Sequence, residues 1–376
     1  MRIPLIKPDL PRLESLSESF GEILISGRIT NFGRYVVEFE QKAGEYLGTH
    51  ALTVSSGTAG LILVLQALGV RSGQKVILPS FTFMATAQAV LYAGGLPVFA
   101  EIGDDLTMSP SDLCSLLARH PDVAVVLPVH MYGLPCRVDE IQAAVESASR
   151  SRSQPPAVVY DAAHAFGSAL GERRVGTFGN AEVFSLSVTK VLVSVEGGMV
   201  STRDPQLVQR LRKMRNYGIE QAYDAHWPGL NAKMSEFHAI IGLRNLGCLE
   251  AFLAERQSKA RYYLEGVRSC TQFQTLPWPP GVRHTFKDLT VILPEALTDR
   301  RDALIAFLGE RGIETRAYFS PPVHQQKLFR QFSDRPLPRT EEFARQVLTL
   351  PFYTTITQGE MDYVVDALAE AERHLT

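Results

Sequence analysis

Cysteine is scarce in this chain. There are four in 376 residues, at Cys114, Cys136, Cys248 and Cys270, widely scattered and without a C-x-x-C pair. That spacing excludes a disulfide framework and a thiolate metal cluster, and no metal site is expected; the thiols read as reduced, mostly buried packing residues of a cytoplasmic protein. Charge of one sign is lacking too. Lys plus Arg number 38 against 40 Asp plus Glu, a formal net charge of -2, so neither a nucleic-acid surface nor an anionic-membrane surface is expected. No uninterrupted apolar run is long enough to span a bilayer. The segment Met1 to Pro8 is too short and too broken by proline to read as a signal peptide. Internal repeats, low-complexity tracts, a Walker loop and a G-x-G-x-x-G turn opening a first strand–helix unit are all missing.

What the chain does have is an ordinary globular balance, 45% hydrophobic and 21% charged, over a length that suits one large domain and a smaller one. Short apolar, β-branched runs predict strands at Ala51–Val54, Lys75–Leu78, Pro97–Ala100, Val123–Val129, Ala157–Asp161, Ala181–Leu186 and Met199–Thr202. Helical patterns lie between most of them, at Thr58–Leu68, Ala85–Tyr92, Pro110–Ala118 and Val138–Ser147. This alternation predicts an α/β fold with a mostly parallel central sheet covered on both faces.

From about Met234 the pattern changes to long helical stretches, Glu236–Leu246 and Glu250–Val267. Then come an extended run at Phe286–Leu293, a helix at Arg300–Arg311, a strand at Gly312–Arg316 and a last helix at Gln358–His374. The expected division is a large unit over 1–250 and a small C-terminal α/β unit over 251–376. The segment Leu276 to Gly281 is proline-rich loop, and residues 150–156 are expected to form an exposed loop.

Five segments could carry chemistry. Val54-Ser55-Ser56-Gly57-Thr58 ends a strand and opens an apolar helix, a place where free N–H groups and the helix dipole suit a phosphate, or where a serine simply caps the helix. Ala157–Asp161 ends a very apolar strand in a carboxylate, costly to bury unless paired, although it could equally cap a turn. His164, three residues on, could share its pocket or be a satisfied core histidine. Phe184 to Lys190, followed by Glu196-Gly197-Gly198, sets one lysine among apolar neighbours. A desolvated amine loses its proton readily and can form a Schiff base, unless it snorkels outward. A lysine and an aspartate are the pair that a pyridoxal phosphate enzyme needs. Phe83, after the second strand, could stack on a flat cofactor or pack in the core. Asn231 could cap the long helix or reach a ligand.

The order of these segments resembles the DegT/StrS family of pyridoxal-phosphate aminotransferases. The likeness runs from Gly33 to Glu40, through Ser-Gly-Thr, Pro79 to Phe83 and Val129 to Gly133, and on through the Asp161, Lys190 and Gly229-Leu230-Asn231 segments to Pro322-Val323-His324 and Leu350-Pro351-Phe352. The resemblance implies the aspartate-aminotransferase-like fold type I and a homodimer with shared active sites. It implies pyridoxal 5'-phosphate bound by Gly57, Thr58, Phe83, Asp161, His164, Ser185, Lys190 and, across the subunit boundary, Asn231, with Lys190, Asp161 and His164 in catalytic roles.

The activity it implies moves an amino group from an amino acid, typically glutamate, to a keto-sugar that is nucleotide-linked. A cyclitol or other small ketone is an alternative acceptor, because Val191 to Val195 and Lys233 depart from the family pattern. A non-catalytic regulatory homologue and another pyridoxal enzyme, a dehydratase or racemase, are the other classes. Lys190 speaks against the dehydratase branch, in which histidine takes its place.

Overall fold

The structure is a computed structural model that describes residues 2–150 and 152–375. Met1, Ser151 and Thr376, which belong to the N-terminal reading, the 150–156 loop and the last expected unit, lie outside the described residues. The rest of that loop is irregular and mostly exposed.

Seven strands form the main sheet: β1 (His50–Val54), β2 (Lys75–Pro79), β3 (Leu96–Ala100), β4 (Val123–Val126), β5 (Ala157–Asp161), β6 (Ala181–Ser185) and β7 (Gly198–Thr202). Their order is β1-β7-β6-β5-β4-β2-β3. All neighbours are parallel except β7, which runs antiparallel to both β1 and β6. The cause is the connection. Between β6 and β7 the chain has residues 186–197 with no helix to cover the sheet, so it makes no crossover and returns antiparallel. Nearly every strand residue is buried, which explains why the strands read as continuous apolar runs rather than alternations. The Val123–Val129 run stops pairing regularly at Val126, and Val129 meets Asp161 through an isolated bridge.

Helices cover both faces. Phe39 and Leu47 from α1 (Arg34–Leu47) and Leu113, Leu116, Ile141 and Val145 pack on one side with Val126, Val158 and Phe184. Leu61, Val64 and Leu65 of α2 (Gly57–Ala67), Ala87 and Val90 of α3 (Met84–Tyr92) and Leu207, Val208 and Leu211 pack on the other. The two helices expected over Glu236–Val267 are one, α4 (Glu236–Cys270), which starts on the hydroxyl of Ser235. Among the described helices it alone is long and apolar enough, by length and composition, to cross a membrane. Here Ala239, Ile240, Leu249 and Leu253 are packed into the first core, and Ala260, Tyr263, Leu264 and Val267 into another.

That further core also gathers α5 (Arg301–Glu310), α6 (Gln358–Leu375) and a three-stranded antiparallel sheet in the order β8-β9-β10, with β8 Gln274–Thr275, β9 Leu289–Ile292 and β10 Val347–Leu350. Ile3 joins it from the N-terminus. Gly312–Arg316 is not a strand. It makes only single bridges, Ile313 to Ile3 and Arg316 to Thr349, because its two sides are met by different chain segments.

Candidate active site at the carboxyl edge of the sheet

Asp161 and Ser185 are the last residues of β5 and β6, and Ser56 and Gly57 follow β1 directly. These three ends lie at one edge of the sheet, where open α/β sheets bind ligands. A cavity of about 410 Å³ opens there, lined by Gly57, Thr58, Phe83, Asp161, His164, Ser185 and Lys190 together with Thr86, Glu196, Lys287, Tyr318 and Phe319. Seven of the eight residues expected from the sequence are thus on one wall. Asn231 is not; it is exposed and accepts a hydrogen bond from Lys233 Nζ at 2.6 Å. A larger depression of about 940 Å³ lies beside Glu40 and Arg215, but these buried charges are paired with each other.

Asp161 is buried. Oδ1 accepts the backbone N–H of Ala163 at 3.0 Å, and Oδ2 accepts the hydroxyl of Thr86 at 2.8 Å. The turn-capping reading and the ligand reading therefore both apply to it. Burial raises its pKa above the usual carboxylate value, against the opposing pull of Thr86, the Ala163 N–H and the Lys190 charge. A carboxylate so placed lacks a full counter-charge, and a cationic N–H arriving in the cavity would supply one.

Lys190 follows the irregular turn after β6 and is half-buried on the cavity wall. Among the described residues it has no ion-pair partner. Desolvation and the nearby Lys287 charge bring its pKa down to about 7, with Asp288, Asp161 and Glu196 opposing. Near neutral pH about half of the amine is free to act as a nucleophile or base.

His164 is buried, and its Nδ1 accepts the backbone N–H of Tyr132 at 3.2 Å. Its ring lies parallel to that of Phe319, 6.3 Å away. Phe83 is 52% exposed and its ring centre is 6.0 Å from that of Phe319.

The start of α2 is open to a ligand. Ser56 Oγ takes the N–H of Ala59, whereas Gly57 and Thr58, both on the cavity wall, head a helix whose first N–H groups have no helical acceptor. A Cβ at Gly57 would come within 3.1 Å of the Ser185 Cβ. Gly198 serves the same turn from below. A Cβ there would sit 2.5 Å from the Ser56 carbonyl carbon and 2.6 Å from the Gly57 nitrogen, so the close approach read from the glycine pair is to this turn.

The segment that departs from the family pattern has no part in the cavity wall. Val191, Leu192 and Val193 are buried in the core. Sequence reasoning missed Thr86, Lys287, Tyr318 and Phe319. Thr86 fell unmarked within the helix expected over Ala85–Tyr92, and the other three come from the far part of the chain, where the only signal was a charged Lys287-Asp288 couple inside an apolar stretch.

A sequence model of the "DegT/DnrJ/EryC1/StrS aminotransferase family" matches residues 13–369. The chain is 32% identical over 373 residues to a GDP-perosamine synthase of Caulobacter vibrioides, covering 97% of this chain and 98% of the relative. It is 35% identical over 360 residues to the dTDP-3-amino-3,4,6-trideoxy-alpha-D-glucose transaminase of Streptomyces venezuelae, covering 92% and 91%. The structure of DesI in the presence of its TDP-sugar product superposes with a TM-score of 0.90 at 32% identity, covering 98% of this chain and 93% of that one.

Proposed function

The chain belongs to the DegT/DnrJ/EryC1/StrS aminotransferase family, and on that premise we propose that it transfers an amino group from an amino acid, glutamate in the first instance, to a nucleotide-linked keto-sugar. It is a pyridoxal-phosphate aminotransferase of fold type I. The observation that carries the reading is one cavity wall holding an unpaired lysine with its pKa near 7 and a buried carboxylate with its pKa raised.

The residues present fit pyridoxal 5'-phosphate. Gly57, Thr58 and Ser185 form a cradle with helix N–H groups for a phosphate, and the Gly57 Cβ that would crowd it is missing. Asp161 lacks the counter-charge that a pyridine N–H would give, and Phe83 offers a ring face. When bound, the cofactor supplies an aldehyde that takes up amines and a ring that accepts electrons. Lys190 Nζ is the group assigned to hold the cofactor and to move the proton at the substrate carbon that loses or gains nitrogen. Asp161 keeps the ring nitrogen protonated, and Thr86 and Ala163 fix its orientation. His164 lines the same cavity, with its Nδ1 held by the Tyr132 N–H, so its other ring nitrogen is the one left for a ligand.

We assign Asn231 to the cofactor phosphate of a second subunit. A homodimer is what the family resemblance implies, and the exposed apolar side chains Phe83, Met84, Val188 and Val195 are available to such a contact. The division at 1–250 and 251–376 is supported by the change of core along α4 between Leu253 and Ala260. A cytoplasmic location accords with four free cysteines, although only Cys136 is the buried packing residue expected and Cys114, Cys248 and Cys270 are exposed.

The first test is the absorption spectrum of the loaded protein before and after L-glutamate. Loss of the yellow band, and its return with a nucleotide-linked keto-sugar, is the expected result. A yellow protein that no amino acid bleaches would remove the amino-transfer reading.

A further inference from the structure

We propose that Lys287 is the cation that receives the carboxylate of the amino donor; this rests on the amino-transfer reading above. An α-amino acid brings a carboxylate one carbon away from the nitrogen it gives up, and a partly enclosed cavity must meet that charge. The cations among the described lining residues are Lys190 and Lys287, and no arginine is among them. Lys190 is committed to the nitrogen and the proton. Lys287 is what remains.

Lys287 is seated for the task. Its backbone N–H donates to Tyr132 O at 2.9 Å, and Arg256 bonds the carbonyls of Thr285 and Phe286 just before it. The side chain is 5% exposed and still lines the cavity. Its Nζ lies 5.5 Å from the Tyr318 ring centre and donates to Asp288 Oδ1 at 2.7 Å. An ammonium has three hydrogens; among the described residues Asp288 is its hydrogen-bond partner, and two hydrogens are left for a ligand. The pair is not a closed structural ion pair, because Asp288 Oδ2 is buried with no partner among the described residues. Fully built buried pairs satisfy such atoms, and incompletely satisfied ones call for a functional account. Asp161, Glu196 and Asp288 carry the negative charges around the amine of Lys190, so a cation reserved for the donor also keeps those groups from repelling it.

The test uses the loaded enzyme and its Lys287→Met and Lys287→Arg variants without any acceptor. Bleaching of the yellow band is followed against the concentration of L-glutamate and of n-butylamine, which has no carboxylate. Binding of glutarate, which has carboxylates and no amine, is measured by calorimetry. Lys287→Met is expected to raise the half-saturating glutamate concentration and the glutarate dissociation constant by roughly tenfold or more. Butylamine should be unaffected, and Lys287→Arg should return both values to within about threefold of wild type. Unchanged glutamate half-saturation in Lys287→Met, or an equal loss for butylamine, overturns the proposal, as does a variant altered only in its pH profile. If the wild-type enzyme is bleached by no amino acid, the amino-transfer reading itself fails and takes this assignment with it.

Discussion

Tyr132 donates its backbone N–H to Nδ1 of His164 at 3.2 Å. A ring nitrogen that accepts cannot carry the proton, so the neutral imidazole holds it on Nε2. Burial, reinforced by the charges of Lys190 and Lys287, pushes the His164 pKa well below its ordinary 6.5. His164 is therefore a fixed Nε2–H donor over the working pH range. Nitrogen NMR of the protein is expected to show it neutral at pH 5.5; a histidine titrating near 6.5 would contradict the tautomer. The sign for stability follows. An unfolded histidine takes a proton below about 6.5 that the folded one refuses, so this group makes the fold less stable as pH drops through that value.

The amine of Lys190 gives a second pH test. With its pKa at about 7 instead of 10.5, the free base is scarce below neutrality and predominates above pH 8. Uptake of cofactor by the cofactor-free protein should accelerate with pH and level off with a midpoint near 7. A rate still climbing tenfold per unit at pH 9 would place the amine near its ordinary value. Lys190→Ala should bind cofactor that dialysis removes and lose roughly a thousandfold or more in turnover.

How much of this was legible beforehand depended on distance along the chain. Each of the seven main strands reads from its apolar run, because burial on both faces demands one. Lys190, Asp161 and the Gly57 turn read from strand ends, where the chain itself leaves a mark. The antiparallel course of β7 did not read, since it follows from a missing helix and not from composition. Lys287 did not read either. It sits 97 positions from Lys190, by the numbering 287 - 190, and only the fold of the far segment against Tyr132 brings it to the cavity. Gly312–Arg316 has strand-like residues, yet it lacks a continuous neighbour; strand propensity reports a half-buried surface and not a partner.

Asp161→Asn separates chemistry from folding. The amide keeps the shape and can still accept from Thr86 or Ala163, but it cannot hold a pyridine nitrogen protonated. Burial already disfavours the charge at this position, so thermal stability of the cofactor-free protein is expected to change by about 1 kcal/mol or less, in either direction. Turnover is expected to fall by roughly a hundredfold to ten-thousandfold with cofactor still bound. Turnover at the wild-type level would take Asp161 out of the reaction.

Gly198→Ala tests the cradle from a residue outside the wall of the cavity. The added Cβ would lie 2.5 Å from the Ser56 carbonyl carbon and 2.6 Å from the Gly57 nitrogen. Both are backbone atoms, which cannot swing aside as a side chain does. Either β7 moves away from β1 and β6, with which it pairs on both sides, or the Ser56–Gly57 turn is lifted toward the cavity. The first route disturbs two ladders of the main sheet at once, so the turn is the part that yields. Overpacking of this kind costs about 1–3 kcal/mol. Because the displaced atoms are the ones that would meet the phosphate, cofactor affinity should drop at least tenfold, while uptake of pyridoxal without its phosphate should be nearly unchanged. Equal weakening of both would mean that the strand, and not the turn, had moved.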